Sequence, residues 1–466
     1  MSLILLVRKK NKMNAPHALL INPWIYDYAA YDFWMKPLGL LYIASCLRKN
    51  GYHLTYLDCL NLSHPGMKPY LKSKSSRKSF FGSHPLYKER LENPPCLADI
   101  SRHYGRYGLK LELFLEELDK IEKPEVILVS SMMTYWYPGP FKVIELVKQK
   151  FPEVPVLLGG IYASLCREHA RKYSGADYIL SGESENTAVE LCNQITGWNS
   201  DFRVNPDDLD SYPYPAMDLV KNTNYACLMT SRGCPFHCTY CAHDKLSPGY
   251  RRRDWQCVFK EILHYQETQG IRNFVFYDDA LAINPETMLI PLLEEVVKQD
   301  LQLTFHTPNG LHIRGVTPEL ARLMYQSGFK TLRISLETSE PILQKTTGGK
   351  TSNEEFIQCC RYLHEAGYSN RDIGVYLLVM LPGQRWQEAE SSIRFVIENG
   401  AYPYLSEFTP IPRTPYFESA KKGSPYDLEH EPLFQNNTIC PCQWEGFTLK
   451  DLERIKLLRL ELSKHA

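Results

Sequence analysis

Three cysteines fall within eight residues in the run Ser231-Arg232-Gly233-Cys234-Pro235-Phe236-His237-Cys238-Thr239-Tyr240-Cys241. Thiolate is a soft ligand suited to iron–sulfur chemistry, and a short loop can wrap three corners of a cubane. A [4Fe–4S] cluster held this way keeps one iron without a protein ligand, open to a chelating molecule that offers amino and carboxylate groups. The competing reading is a structural zinc site completed by His243 or His237. Structural zinc usually joins two ligand pairs across a longer loop, which a compact trio does not supply. Cys46, Cys59, Cys166, Cys192, Cys257, Cys359 and Cys360 lie singly among apolar neighbours and read as small core residues. Cys440-Pro441-Cys442 reads as a structural pair, because two cysteines do not define a metal site.

The elements that must position the trio follow from periodicity. Residues 17–195 alternate strand-like runs (17–22, 53–58, 126–130, 156–158, 177–180) with helix-like runs (38–50, 140–151, 162–173, 183–195). That alternation specifies an α/β unit, an open parallel sheet with helices on both faces. Ligands bind outside the carboxyl ends of such strands. Those ends carry Asn22-Pro23-Trp24, the stretch from Ser131 to Gly139, Gly159-Gly160 and Ser181-Gly182-Glu183. Alternation resumes with strands at 225–230, 273–277, 302–306, 331–336, 374–379 and 405–408, fitting a partial (β/α)6 barrel. Its helices are bounded by Asn284-Pro285 and Thr317-Pro318 at N-termini, a capping box of Ser352 with Glu355, and Gly328 and Gly367 at C-termini. The cysteine loop follows the first barrel strand directly.

These signals divide the chain into residues 1–14, a disordered or misannotated N-terminus with Met13 as an alternative start, and a first domain at 15–196. A Pro-containing linker at 197–224, the barrel at 225–416 and an extension at 417–466 follow. Residues 61–108 interrupt the first domain with Lys, Ser, Pro and Tyr and read as a solvated excursion; its Lys72, Lys74, Arg77 and Lys78 lack a stacking platform for nucleic acid. The 466 residues carry a formal net charge of zero, so no nucleic acid or anionic membrane is expected as partner. No apolar run is long enough to span a bilayer, and the N-terminus has the reverse of a secretory pattern. Fourteen cysteines without an export signal then imply a cytoplasmic protein with thiols rather than disulfides.

The barrel resembles the radical S-adenosylmethionine (SAM) enzymes, whose signature is Cys-x3-Cys-x2-Cys after the first strand. The resemblance implies a [4Fe–4S] cluster on Cys234, Cys238 and Cys241 with SAM on the open iron, and Tyr240 beside the adenine. It also implies a role for Asp278 and Asp279 at the methionyl amino group and for Glu337 at the ribose. Read without the family, both Asp residues could cap a turn, and Glu337 could pair with Arg333 or Arg314. The segment from Leu378 to Gly383 resembles the adenine-supporting fifth strand, although Met380 stands where glycine is usual, and Thr409-Pro410-Ile411-Pro412 matches the sixth-strand edge. His306, Asn309 and His312 end the third strand, where they meet substrate or simply build a turn through Asn309-Gly310.

The first domain resembles the Rossmann-like (flavodoxin-like) cobalamin-binding domain of one large radical SAM class. The supporting residues are Pro37-Leu38-Gly39-Leu40, Gly159-Gly160, Gly175-Ala176-Asp177 and Ser181-Gly182-Glu183. The resemblance implies cobalamin contacts at Gly159, Gly160, Gly182 and Glu183, and at Thr134, Tyr135 and Trp136, whose aromatics would pack beneath the corrin. The alternative is that these aromatics form a domain interface. The Asp-x-His-x-x-Gly motif that brings a histidine to cobalt is absent. The implied activity is methylation of an unactivated carbon of an unknown substrate, with reductive cleavage of SAM and electrons from an external low-potential donor such as flavodoxin or ferredoxin. No side chain is expected as catalytic base. Rearrangement or cyclisation without methyl transfer, and a non-catalytic iron–sulfur scaffold, are the alternatives.

Overall fold

The computed structural model describes residues 15–71 and 81–464. The alternative start at Met13 and the lysine-rich stretch from Lys72 to Lys78 lie outside the described residues.

The first unit is a parallel sheet of β1 (His17–Asn22), β2 (His53–Asp58), β3 (Val126–Val129), β4 (Val156–Leu158) and β5 (Tyr178–Ile179) in the flavodoxin-like order β2-β1-β3-β4-β5. Strands β3 and β4 are buried throughout, as expected where helices cover both faces of a sheet. Those helices include α1 (Leu38–Lys49), α2 (Pro138–Lys150) and α3 (Glu185–Thr196). Strand order reverses between β1 and β3, which opens a crevice at their carboxyl ends.

The second unit is the expected partial barrel. Its strands β6 (Tyr225–Leu228), β7 (Asn273–Phe276), β8 (Thr304–His306), β9 (Phe329–Glu337), β10 (Ile373–Val379) and β11 (Tyr402–Glu407) are parallel and adjacent in chain order. Phe274, Phe276, Leu332, Ile334 and Leu336 share one core with helix residues such as Leu320, Phe356 and Leu363, which sends the alternate residues of β9 into the lumen. The boundary signals at Thr317, Ser352 with Glu355, Gly328 and Gly367 appear as read. Asn284 differs: it takes φ +44° with no capping bond, and Pro285–Thr287 forms a separate 3-10 turn before the helix Leu289–Lys298.

Two segments are more tightly packed than their composition indicates. In the 61–108 excursion, Lys88–Arg90 and Gly105–Tyr107 join Ile25–Asp27 in an antiparallel sheet, burying Leu86, Tyr104 and Tyr107. The 197–224 linker buries Val204, Leu209, Tyr212, Ala216, Met217 and Val220. Its prolines shape a fitted connection because these apolar residues alternate with them. The units also share a core: Leu38, Leu40 and Ala44 of α1 join Tyr225, Cys227 and Val275 of the barrel. Trp34 stacks on His306 at 4.5 Å, and Phe81 lies 4.9 Å from the same ring. Among the described residues, no helix is long and apolar enough to cross a membrane.

Candidate active site between the sheet and the barrel

The cysteine loop leaves β6 under firm constraint. Asp278, fully buried, accepts from the Thr230 backbone N–H at 3.0 Å and from the Thr230 and Ser231 hydroxyls at 2.6 and 2.7 Å. Burial holds its carboxyl above the usual range, even though those bonds favour the ionised form. Ser231–Arg232 then pairs antiparallel with Arg251–Arg252. Gly233 takes φ +78°, and a Cβ there would stand 1.7 Å from the Gly249 carbonyl oxygen, so only glycine fits. From the other side the loop is braced by the segment between β9 and the next barrel helix. Thr239 N–H donates to Thr347 O at 3.2 Å, and Gly348 lies close enough that a Cβ would sit 3.1 Å from the Cys238 Cα.

Cys234, Cys238 and Cys241 are half-buried and unbridged. Burial raises all three thiols, Cys241 to about 11, so iron must displace protons to bind. Among the described residues, no three His, Cys, Asp or Glu side chains converge as on a single ion. A cubane takes one thiolate per iron, so its ligands stand further apart. His243 Nε2 is engaged with the Cys234 carbonyl at 2.9 Å, and His237 is exposed, so neither histidine completes a zinc set. The donor chemistry fits the cluster.

The crevice of the first sheet faces this loop across a cavity of about 330 Å³. Its walls include Lys36, Gly39, Ser130, Met132, Gly159, Gly160, Gly182 and Glu183 on one side, and Arg232, Gly233, Leu246, Tyr277 and Asp279 on the other. A Cβ on Gly39 would meet nothing within 4 Å, and one on Gly182 would come no closer than 3.5 Å to its nearest neighbour. Gly160 at φ +101° is required by the fold, since a Cβ would lie 2.0 Å from Ser131 O. A floor of glycine, serine and aliphatic side chains suits a broad, largely apolar group. Among the described residues, no histidine lines this cavity.

A Radical SAM superfamily model matches residues 228–396, and a B12 binding domain model matches residues 107–192. The chain is a radical SAM enzyme with a B12-binding domain. It is 22% identical over 74% of its length to an uncharacterized methyltransferase of Pyrococcus horikoshii, of which 77% is covered. It is likewise 22% identical to the cytidylyl-2-hydroxyethylphosphonate methyltransferase of Streptomyces wedmorensis, covering 78% of this chain and 73% of that one. Its fold is similar to that of the radical S-adenosylmethionine methyltransferase TsrM from Kitasatospora setae, solved with cobalamin and a [4Fe–4S] cluster bound. That match has a TM-score of 0.64 and 15% identity, and covers 89% of this chain and 80% of that one.

The cofactors of this radical SAM enzyme are therefore a [4Fe–4S] cluster, SAM and cobalamin, and it needs a reductant. The structure distributes the expected contacts unevenly. Asp279 opens onto the cavity with no ion-pair partner among the described residues, whereas the oxygens of Asp278 are spent on the loop. Glu337, at φ +68° on a bulge of β9, pairs with Lys350 at 2.5 Å. It does not pair with Arg333 or Arg314; Arg314 is held by Glu355. Burial alone would lower the Lys350 ammonium, and the Glu337 carboxylate more than offsets this, leaving it raised. Tyr240 lies beside this pair, with Lys350 Nζ 5.9 Å from its ring, and burial raises its buried hydroxyl, which faces the Cys238 thiol. Sequence reasoning missed Lys350, whose signal was the preceding Gly348-Gly349.

One placement departs from the sequence reading, and three others add to it. Thr134, Tyr135 and Trp136 do not line the cavity: the two aromatics pack with Ile25, Leu60, Leu86 and Tyr107, and Trp136 Nε1 donates to Asp27 at 2.6 Å. The loop turns them toward the small antiparallel sheet because that sheet supplies both an apolar face and an acceptor. Met132, two residues earlier, faces the cavity instead. Glu183 lines the cavity but its carboxylate is bound by Arg251 and Ser247. Met380 takes the left-handed backbone that glycine favours, at φ +64°, and its carbonyl accepts from Trp444 Nε1 at 2.9 Å. His312, stacked on Phe236 and 3.9 Å from Cys234 Sγ, is held neutral by burial, which lowers it to about 3.

Proposed function

We propose that this enzyme transfers a methyl group from SAM to an unactivated carbon of its substrate in the cytoplasm, taking electrons from a low-potential carrier such as flavodoxin or ferredoxin. The observation that supports this most is the single cavity onto which the crevice of the first sheet and the cysteine loop both open. Bound here, the cluster and the corrinoid supply one-electron and methyl-carrying chemistry that no side chain offers. The chain's own residues hold and orient. Cys234, Cys238 and Cys241 ligate iron; Asp279 on the cavity wall, and Tyr240 and Glu337 with Lys350 beside the cysteine loop, are the groups assigned to SAM; and Gly159, Gly160 and Gly182 let a flat ligand approach the sheet. No side chain is assigned as nucleophile or base. Two relatives whose names describe methyltransferases support methylation.

The test is anaerobic incubation with titanium(III) citrate, methyl-labelled SAM and a small-molecule extract of the producing cells. Methylation releases both S-adenosylhomocysteine and 5′-deoxyadenosine and puts label into a new product. Deoxyadenosine with substrate conversion and no label would replace methylation by rearrangement or cyclisation. No SAM cleavage at all would leave only the scaffold reading.

A further inference from the structure

Arg333 lies on the lumen face of β9, four residues below Glu337, and no carboxylate pairs with it among the described residues. Its Nη1 donates to the Leu332 carbonyl at 3.1 Å, and its guanidinium stacks over the Tyr404 ring at 4.2 Å. To reach that ring it crosses β10 at Gly374, where a Cβ would stand 2.6 Å from Nη1 and 2.9 Å from Cδ. The missing side chain is the slot in which Arg333 lies. Tyr376 and Tyr404 meet edge to face across the neighbouring strands at 6.4 Å, and both are half-buried. Tyr376 is fixed by its hydroxyl, which donates to Pro308 O at 2.8 Å. Elsewhere in the protein, buried cations such as Arg232, Arg253 and Lys350 have carboxylate partners. A half-buried guanidinium left without one offers a planar fork of donors that an oxyanion satisfies.

We infer that Arg333, with Tyr376 and Tyr404, binds an oxyanion group of the substrate, and that the substrate is a flat organic acid. This rests on the proposed reaction only in taking the barrel lumen as the substrate's place. Four residues of regular strand span about 13 Å, and the bulge at Glu337 shortens this, so the oxyanion is separated from Glu337 by room for a small ring system and a short link. Carboxylate and phosphate share the necessary chemistry. The tyrosine rings favour an aromatic ring next to the charged group, in the edge-to-face arrangement they already take with each other.

The reconstituted enzyme is titrated calorimetrically, without oxygen, with 2-naphthoate, 2-naphthyl phosphate and the neutral 2-naphthamide. At least one oxyanion should bind about tenfold or more tightly than the amide, the range for hydrogen bonds to a charged partner. The tighter of the two identifies the oxyanion. Arg333→Met should erase the preference while iron content and visible absorbance stay unchanged, and Arg333→Lys should keep part of it. Equal binding of all three probes to the wild type would overturn the inference even if the Met variant fails to fold. So would a preference that survives Arg333→Met. Loss of methyl transfer with the preference intact would refute the proposed reaction and leave this site standing.

Discussion

Replacing Glu185 by Gln removes one charge from the ion pair that ties the cysteine loop to the first domain. Arg232, two residues before Cys234, donates to Glu185 at 2.6 Å, and the two side chains are only 9% and 6% exposed. The Tyr42 and Tyr212 rings flank the guanidinium at 5.0 and 4.5 Å. Breaking one partner of a buried pair costs about 3–5 kcal/mol, because the other charge is left in a poor solvent. Here Glu183 remains 3.8 Å away. With the ring faces still attracting the cation by about 0.5–2 kcal/mol, the expected cost falls to about 2–3 kcal/mol. Arg232→Met alone strands Glu185 and should cost a similar amount, while the double variant should be milder than the sum by about 2 kcal/mol. Urea unfolding of the wild type, both single variants and the double variant completes the cycle. A loss below about 0.5 kcal/mol for Glu185→Gln, the range of exposed pairs, or strict additivity would refute a buried, mutually dependent pair.

Three other outcomes follow from the site. Replacing Cys234, Cys238 and Cys241 together by Ala should abolish iron binding and the broad visible absorbance after anaerobic reconstitution, whereas Ala at Cys440 and Cys442 should leave iron content unchanged; the reverse pattern would move the cluster. Gly160→Ala should lose cobalamin and lower thermal stability, because its Cβ would press on Ser131 O at 2.0 Å; normal cobalamin retention on gel filtration would contradict the role of that turn in shaping the cavity floor. Stability should fall as pH drops below 6.5, since burial lowers His306 to about 3 and the His169 imidazole to about 4. The unfolded chain takes up these protons first, at about 1.4 kcal/mol per pH unit for each histidine until the folded values are reached. His306→Phe, which keeps the stack on Trp34, should flatten the acid limb of a denaturant-midpoint profile by one proton's slope, and an unchanged limb would reject the assignment.

Much of this protein was legible from local signals, for stated reasons. The cysteine spacing is a property of one loop and needs no tertiary information to imply a cluster. The alternation of apolar strands with capped helices gave both units, because Thr317, Ser352, Gly328 and Gly367 act on bonds within a few residues of themselves. Side-chain direction at the strand ends was another matter. Tyr135 and Trp136 stand at a strand end of the first sheet, where a ligand contact is expected, but which way a loop aromatic turns depends on what else offers it an apolar face and an acceptor. Here both come from residues 25–27 and 86–107, distant in sequence. Lys350 reaches Glu337 from a separate loop, Asp278 turns back on Thr230, and Trp444 reaches Met380 from the extension. The sequence by itself determined the elements and singled out the cysteine trio proposed to hold iron, because both depend on near neighbours. Only the tertiary structure decided which charges are paired and which remain free for a ligand, because ion pairs form between residues that folding, not chain order, brings together.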